Sequence, residues 1–227
     1  VKRIITIGIM LLALGLAAGA VQAEASAKTP TQTLQTALDE LLAILQDPRY
    51  DTKDGISENQ LEVLRTTVHK FFDFGELTKR AVGRPWLGFT DRQRDELTGV
   101  FTQLLEKTYL RKLNTEYLHE LAAFDKSSIR FVDEQIKGNK AMVYTSFQLT
   151  EEPLEVNFRL IERDGQWWAY DVIGEGLTLL GIYQDEFKNV LVNQSPDDLI
   201  ALLQEKIRAI DEKRDEAAGA EAGAAGE

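Results

Sequence analysis

The chain has 227 residues, 44% hydrophobic and 28% charged, with sixteen glycines and five prolines, so it carries enough apolar side chains for a packed core. It contains no cysteine, which excludes thiol nucleophiles, cysteine-bearing zinc sites, iron–sulfur clusters, disulfides and lipoprotein acylation. The formal net charge of −11 sets the field of the whole molecule against a phosphate-tracking surface, so nucleic acid is not expected as a partner.

The chain opens with Lys2-Arg3, an uncharged apolar run from Ile4 to Val21, and Val21-Gln22-Ala23 ahead of Glu24. These are the three regions of a secretory signal peptide, with cleavage expected after Ala23. A membrane anchor is the competing reading, but the run is shorter than the roughly 20 strongly apolar residues a span needs and is diluted by Gly8, Gly15 and Gly19. We therefore divide the chain into a signal peptide (1–23), one folded domain (24–214) and an Ala/Gly/acidic tail (215–227). The tail has no large apolar residue to bury and is expected to be disordered.

Within the domain, Leu34, Leu38, Leu41, Leu42 and Leu45 recur at helical spacing from Thr31 to Gln46, and Asp47-Pro48 ends the pattern. Ser57-Glu58-Asn59-Gln60 has the form of a capping box and opens a second helix. Asp73 and Glu76 begin a third, which ends at Gly83. Thr90-Asp91-Arg92-Gln93 repeats the capping pattern and opens a long helix with Leu97, Phe101, Leu104, Leu105, Thr108 and Tyr109 on the inward side, ending somewhere between Leu113 and Leu121.

The period then changes to two. Runs at 128–136, 140–149, 154–162 and 166–173 are separated by Gly138-Asn139, Glu152-Pro153 and Asp164-Gly165, which are hairpin turn signals. Connections this short force antiparallel neighbours, so a four-stranded meander is expected. A two-residue Asp164-Gly165 turn would pair Leu160 with Ala169 and Phe158 with Asp171. That register puts Trp167, Ala169 and Asp171 on the dry face and Trp168, Tyr170 and Val172 on the other. Helical spacing resumes after Gly174-Glu175-Gly176 with Leu177, Leu180, Phe187, Val190 and Leu191, and Ser195-Pro196 opens a last helix through Leu199, Leu203, Ile207 and Ile210. The fold class is α+β: an antiparallel sheet wrapped by N- and C-terminal helices.

Catalytic patterns fail on context. Asp73-Phe74-Gly75 spells the kinase metal-binding tripeptide with none of its companion motifs. Gly174-x-Gly176 misses the dinucleotide fingerprint, and His69 and His119 stand 50 residues apart with no acidic pattern to complete a metal site. No cofactor or metal is expected. Asp171 is the one carboxylate that alternation aims inward. It is either a general base in an apolar pocket or an acceptor for backbone amides at the strand end.

Several spaced blocks together resemble the MlaC family, also called toluene-tolerance Ttg2 proteins. They are Phe72-Asp73-Phe74, Gly83-x-x-Trp86, Thr90-x-x-Gln93-Arg94, Phe101-x-x-Leu104-Leu105-x-x-Thr108-Tyr109 and Trp167-x-Ala169-Tyr170-Asp171-Val172-x-x-Glu175-Gly176. The resemblance runs from about residue 31 to 210. It implies a periplasmic phospholipid carrier whose helix-wrapped sheet encloses an apolar cavity for acyl tails. It also implies shuttling between an outer-membrane lipoprotein–porin complex and an inner-membrane ABC transporter with an MCE-domain subunit, which maintains outer-membrane lipid asymmetry.

The residue pattern suits that role. A two-tailed lipid has on the order of 30 methylenes, at about 0.8 kcal/mol each, so a carrier must supply more than about 20 kcal/mol of apolar burial. The side chains expected to line such a cavity are Phe71, Phe74, Leu104, Leu105 and Tyr109 on the helices and Val143, Phe147, Val156, Phe158, Leu160 and Ala169 on the sheet. An enzyme on a conical sheet using Asp171 and a periplasmic chaperone or adaptor are the alternatives.

Overall fold

The computed structural model describes residues 28–50, 56–115, 126–148, 153–174 and 176–224. Its helices are α1 (Pro30–Leu45), α2 (Glu58–Val68), α3 (Phe74–Val82), α4 (Asp91–Thr115), α5 (Leu179–Leu191) and α6 (Pro196–Ala224). Its strands are β1 (Ile129–Lys137), β2 (Lys140–Gln148), β3 (Pro153–Arg163), β4 (Gln166–Gly174) and β5 (Leu177–Thr178). The strands form one antiparallel sheet in the order β1-β2-β3-β4-β5. The α+β class is as expected, but the meander has five strands. Leu177-Thr178, read from sequence as the start of a helix, pairs with Ile173 and Gly174 before Thr178 caps α5 by accepting from Gly181 N.

Local chemistry starts each helix. Thr29 and Gln32 form a full capping box on α1, and Thr90 and Gln93 exchange the same pair of bonds ahead of α4. Ser57 accepts from Gln60 N, but the Gln60 side chain does not return to Ser57 as the capping-box reading expects. It is buried and donates to Ile44 O at 2.9 Å, tying the start of α2 to the orphan carbonyls at the end of α1. Asp73 caps α3, which stops at Gly83 with φ +68. The expected disordered tail is a second difference. Helical backbone continues in α6 to Ala224, because alanine and glutamate favour helix even where nothing apolar remains to bury.

The hairpins follow the turn chemistry. Asp164 (φ +53) and Gly165 (φ +76) make a type I′ turn, and at Gly138-Asn139 only the glycine has positive φ, as a II′ turn requires. Leu160 faces Ala169 as expected, but the ladder then slips by one residue, so Arg159 faces Asp171 and Phe158 faces Val172. This β-bulge at Tyr170 moves Asp171 to the opposite face from the one alternation from the turn gives it.

The helices divide around the sheet. α1 lies on one face, where Leu34 and Leu38 pack with Phe131, Ala141, Val143, Phe158, Leu160, Trp167 and Ala169. On the other side α3, α4, α5 and α6 build a separate core around Leu77, Leu97, Phe101, Phe187, Leu199 and Leu203, each fully buried. Phe72 packs against both cores, and its segment forms a parallel bridge to Ala169.

Candidate functional site

The cross-strand pairs define one apolar face. Ala141 faces Leu160, Val143 faces Phe158, Thr145 faces Val156 and Phe147 faces Leu154, while β4 adds Trp167, Ala169 and Val172. Partners across an antiparallel ladder share a side, so these residues form a continuous apolar surface, with two carboxylates on the same side, Glu162 opposite Trp167 and Glu134 opposite Val143, both on the part that α1 covers. α1 closes the end near Ala141, Val143, Leu160 and Ala169, all buried. Towards the other end Phe147, Leu154, Val156, Phe158 and Val172 are only half-buried among the described residues. Glu134 of β1 secures α1 over this face by accepting from Thr31 N at 2.6 Å, a carboxylate against a helix N-terminus.

The expected lining residues fall into three places. Val143, Phe147, Val156, Phe158, Leu160 and Ala169 share the α1 face. Leu104 and Leu105 belong to the closed helical core, where neighbouring side chains occupy the space around them. Phe74 packs on the edge of that core and Phe71 is half-buried at the end of α2. Tyr109, read as inward, is 41% exposed and hydrogen-bonds to Tyr183, with burial pushing both phenols above their usual pKa. The eleven residues therefore do not form one cluster. The sheet subset does.

A concavity of about 1140 Å³ lies away from that face, between the end of α2, α3, α4 and the β3–β4 hairpin. Of the expected residues only Phe74 lines it. Its walls carry ion pairs: Glu106 with Arg65, Asp73 with Arg163, and buried Glu76 with Arg80 and Arg163 at 2.5 Å each, and Glu106 also hydrogen-bonds His69. Phe72, Phe74, Trp86 and Trp168 also line it, but acyl chains laid there would have to take those charges out of water. Composition alone does not reveal this groove, because it is assembled from four separate elements.

Asp171 is fully buried and lines neither this groove nor the smaller one beside α5. One oxygen accepts from Arg159 at 2.7 Å and the other from Leu180 N at 2.9 Å, joining β4 to the start of α5. Burial pushes its pKa above the usual carboxylate range, and the amide and Arg159 only partly offset that. Of the two readings from sequence, the geometry matches the acceptor of a backbone amide. His69 ends α2 and pairs with Glu106 at 2.8 Å, and His119 lies outside the described residues. Among the described residues no His, Asp and Glu cluster could hold a metal ion, and no helix is long and apolar enough to cross a membrane.

The family model for MlaC protein matches residues 35–205. A solved structure of a phospholipid-binding protein from Ralstonia solanacearum, in complex with a phospholipid, superposes with a TM-score of 0.64 at 22% identity. The match covers 79% of this chain and 97% of that one, and it establishes a shared fold.

Proposed function

Because the chain belongs to the MlaC protein family, we propose that it is a periplasmic phospholipid carrier that holds the acyl tails of its cargo against the α1 face of the sheet. The single observation that carries this reading is the contrast within that face: one end is sealed by α1, and the other, from Phe158 and Val172 to Phe147 and Leu154, has no ionisable group among the described residues and is half-buried. Tail burial is non-directional and scales with apolar area, so such a face binds lipid without a dedicated polar pocket and with weak head-group discrimination. The lining consists of Phe147, Val156 and Phe158, with Val143, Leu160 and Ala169 beneath α1. The fold shared with a protein crystallised with phospholipid supports the same reading.

In this account residues 1–23 direct export and are removed. The carrier moves phospholipid between an outer-membrane lipoprotein–porin complex and an inner-membrane ABC transporter with an MCE-domain subunit, and so serves outer-membrane lipid asymmetry. An enzymatic role for Asp171 has no support in its geometry, since both carboxylate oxygens are engaged and the residue lines neither of the two hollows described above.

The test is native mass spectrometry of protein purified from the periplasm without detergent, followed by organic extraction. A near-stoichiometric diacyl phospholipid on a chain beginning at Glu24 is expected. Protein that is lipid-free and takes no lipid from vesicles would overturn the proposal.

A further inference from the structure

A cationic stretch of this acidic chain carries the most exposed large apolar side chain among the described residues. Residues 65–94 carry seven Lys or Arg against three Asp or Glu, a net +4 within a chain of net −11. All three acids have cationic partners: Asp73 caps α3 and pairs with Arg163, Glu76 is buried against Arg80 and Arg163, and the exposed Asp91 pairs with Arg94. Of the cations, Arg65, Arg80, Arg92 and Arg94 are also ion-paired, which leaves Lys79 and Arg84 beside the turn. Arg84 is exposed with no ion-pair partner among the described residues, and the Lys79 side chain is 57% exposed with its one acidic neighbour 3.8 Å away.

Between α3 and α4 the 3₁₀ turn Arg84–Gly88 presents Pro85 and Leu87 to solvent. Leu87 is 81% exposed, the highest value for a large apolar side chain among the described residues. The turn that carries it is rigid. Trp86 stacks on Phe89 at 5.7 Å, and Arg94 lies over the Trp86 ring and donates to the Trp86 carbonyl at 3.2 Å. Lys79, Arg80, Trp86 and Leu87 also line one shallow hollow beside α5, so cations and apolar tip are contiguous.

We propose that this corner is a docking surface for an anionic lipid bilayer, with Leu87 entering the acyl boundary, Trp86 at head-group level, and Lys79 and Arg84 facing lipid phosphates. A convex apolar knob on a protein partner needs a matching socket, whereas a bilayer accepts it anywhere, and a tryptophan beside basic residues suits the interface. Each cation close to an anionic membrane strengthens partitioning about five-fold. The negative charge of the rest of the chain repels the same surface, so the contact is brief and oriented, corner first. This inference needs only surface charge and exposure and does not rest on the carrier reading.

Vesicle flotation of the purified protein tests it, comparing equimolar phosphatidylglycerol and phosphatidylcholine with phosphatidylcholine alone. The wild type is expected to float with the anionic vesicles and to be released by salt. Arg84→Glu should weaken this by at least about five-fold, and Leu87→Ser should weaken it without any change of charge. Arg208→Glu, the same charge reversal at an exposed position of α6, should leave binding close to wild type, with thermal melts confirming that all variants are folded. Equal losses for Arg84→Glu and Arg208→Glu would reduce the effect to net charge and overturn the proposal. So would a wild type that does not float, which would leave the corner to an acidic protein. Self-association in sedimentation velocity that Leu87→Ser abolishes would assign it instead to a second copy of this chain.

Discussion

Phe101 and Phe158 are the same residue type in opposite situations. Phe101 of α4 has no exposed surface and meets Tyr183 and Phe187 edge-on, with ring centroids 4.6 and 5.0 Å apart. Phe158 of β3 lies on an apolar stretch of the sheet, yet it is only half-buried among the described residues. The helical core is filled in the ordinary way, with side chains of four helices in mutual contact. The sheet face has apolar area beyond what α1 covers. The proposed guest would therefore meet uncovered apolar surface on the sheet among the described residues, whereas in the bundle it would have to displace the core.

Alanine substitutions on the two sides make the contrast measurable in delipidated protein. Phe101→Ala should cost about 3–5 kcal/mol in chemical denaturation, because the cavity it leaves is walled by rings that cannot collapse into it. Phe158→Ala should cost only about 1–2 kcal/mol, since part of its ring is already in contact with water. Equal costs would show that the sheet face is as closed as the bundle.

The far face of the sheet gives a smaller, pH-dependent effect. Asp171→Ala leaves Leu180 N without its acceptor and should cost about 1–3 kcal/mol, whereas Asp171→Asn keeps an acceptor oxygen and should cost less than about 1 kcal/mol. Burial raises the pKa of Asp171 in the folded state. Its protonated form is therefore the better tolerated one, and its contribution is greatest below the usual carboxylate pKa and lost as pH rises through the raised value. Wild type should lose stability relative to Asp171→Asn over that interval, measured by denaturation of both proteins across the acid range. A relative gain with rising pH would mean that Arg159 outweighs burial. Lipid per folded chain should be unchanged in both variants.

The smallest expected effect concerns the α1 cover. Glu134→Gln weakens the carboxylate at its N-terminus and should cost about 0.3–1 kcal/mol. Hydrogen exchange should rise in α1 while the bundle stays protected, and uniform exchange in both would merge the two regions into one cooperative unit.

Much of this division is legible in the sequence, for reasons that are local. The leucine spacing of α1, the Thr90 capping box and the Asp164-Gly165 turn act within a few residues, and the structure contains all three. Alternation along β2 and β3 likewise places Val143, Val156, Phe158 and Leu160 on one face. What escapes is non-local. The bulge at Tyr170 breaks the count from the turn and moves Asp171 across the sheet, with no glycine at the slip to announce it. Apolar spacing identifies Leu104 and Leu105 as inward, but it cannot say which of two interiors they face. Gln60 reads as half of a capping box until α1 is beside it. The ion-paired groove needs α2, α3, α4 and a hairpin to meet before it exists.

The central claim is that acyl tails occupy the half-buried end of the α1 face, and the most direct measurement of it is lipid stoichiometry per folded chain for two tryptophan substitutions one residue apart. Val156 belongs to that face and Glu155, opposite Ser146, is exposed on the other. Bulk forced into a close-packed core costs typically about 1–3 kcal/mol, whereas bulk placed in a ligand cavity displaces the ligand. Val156→Trp should melt at or above the wild-type temperature when delipidated and carry little phospholipid, while Glu155→Trp retains it. A Val156→Trp protein that is destabilised yet fully loaded would contradict the account and put the lipid elsewhere.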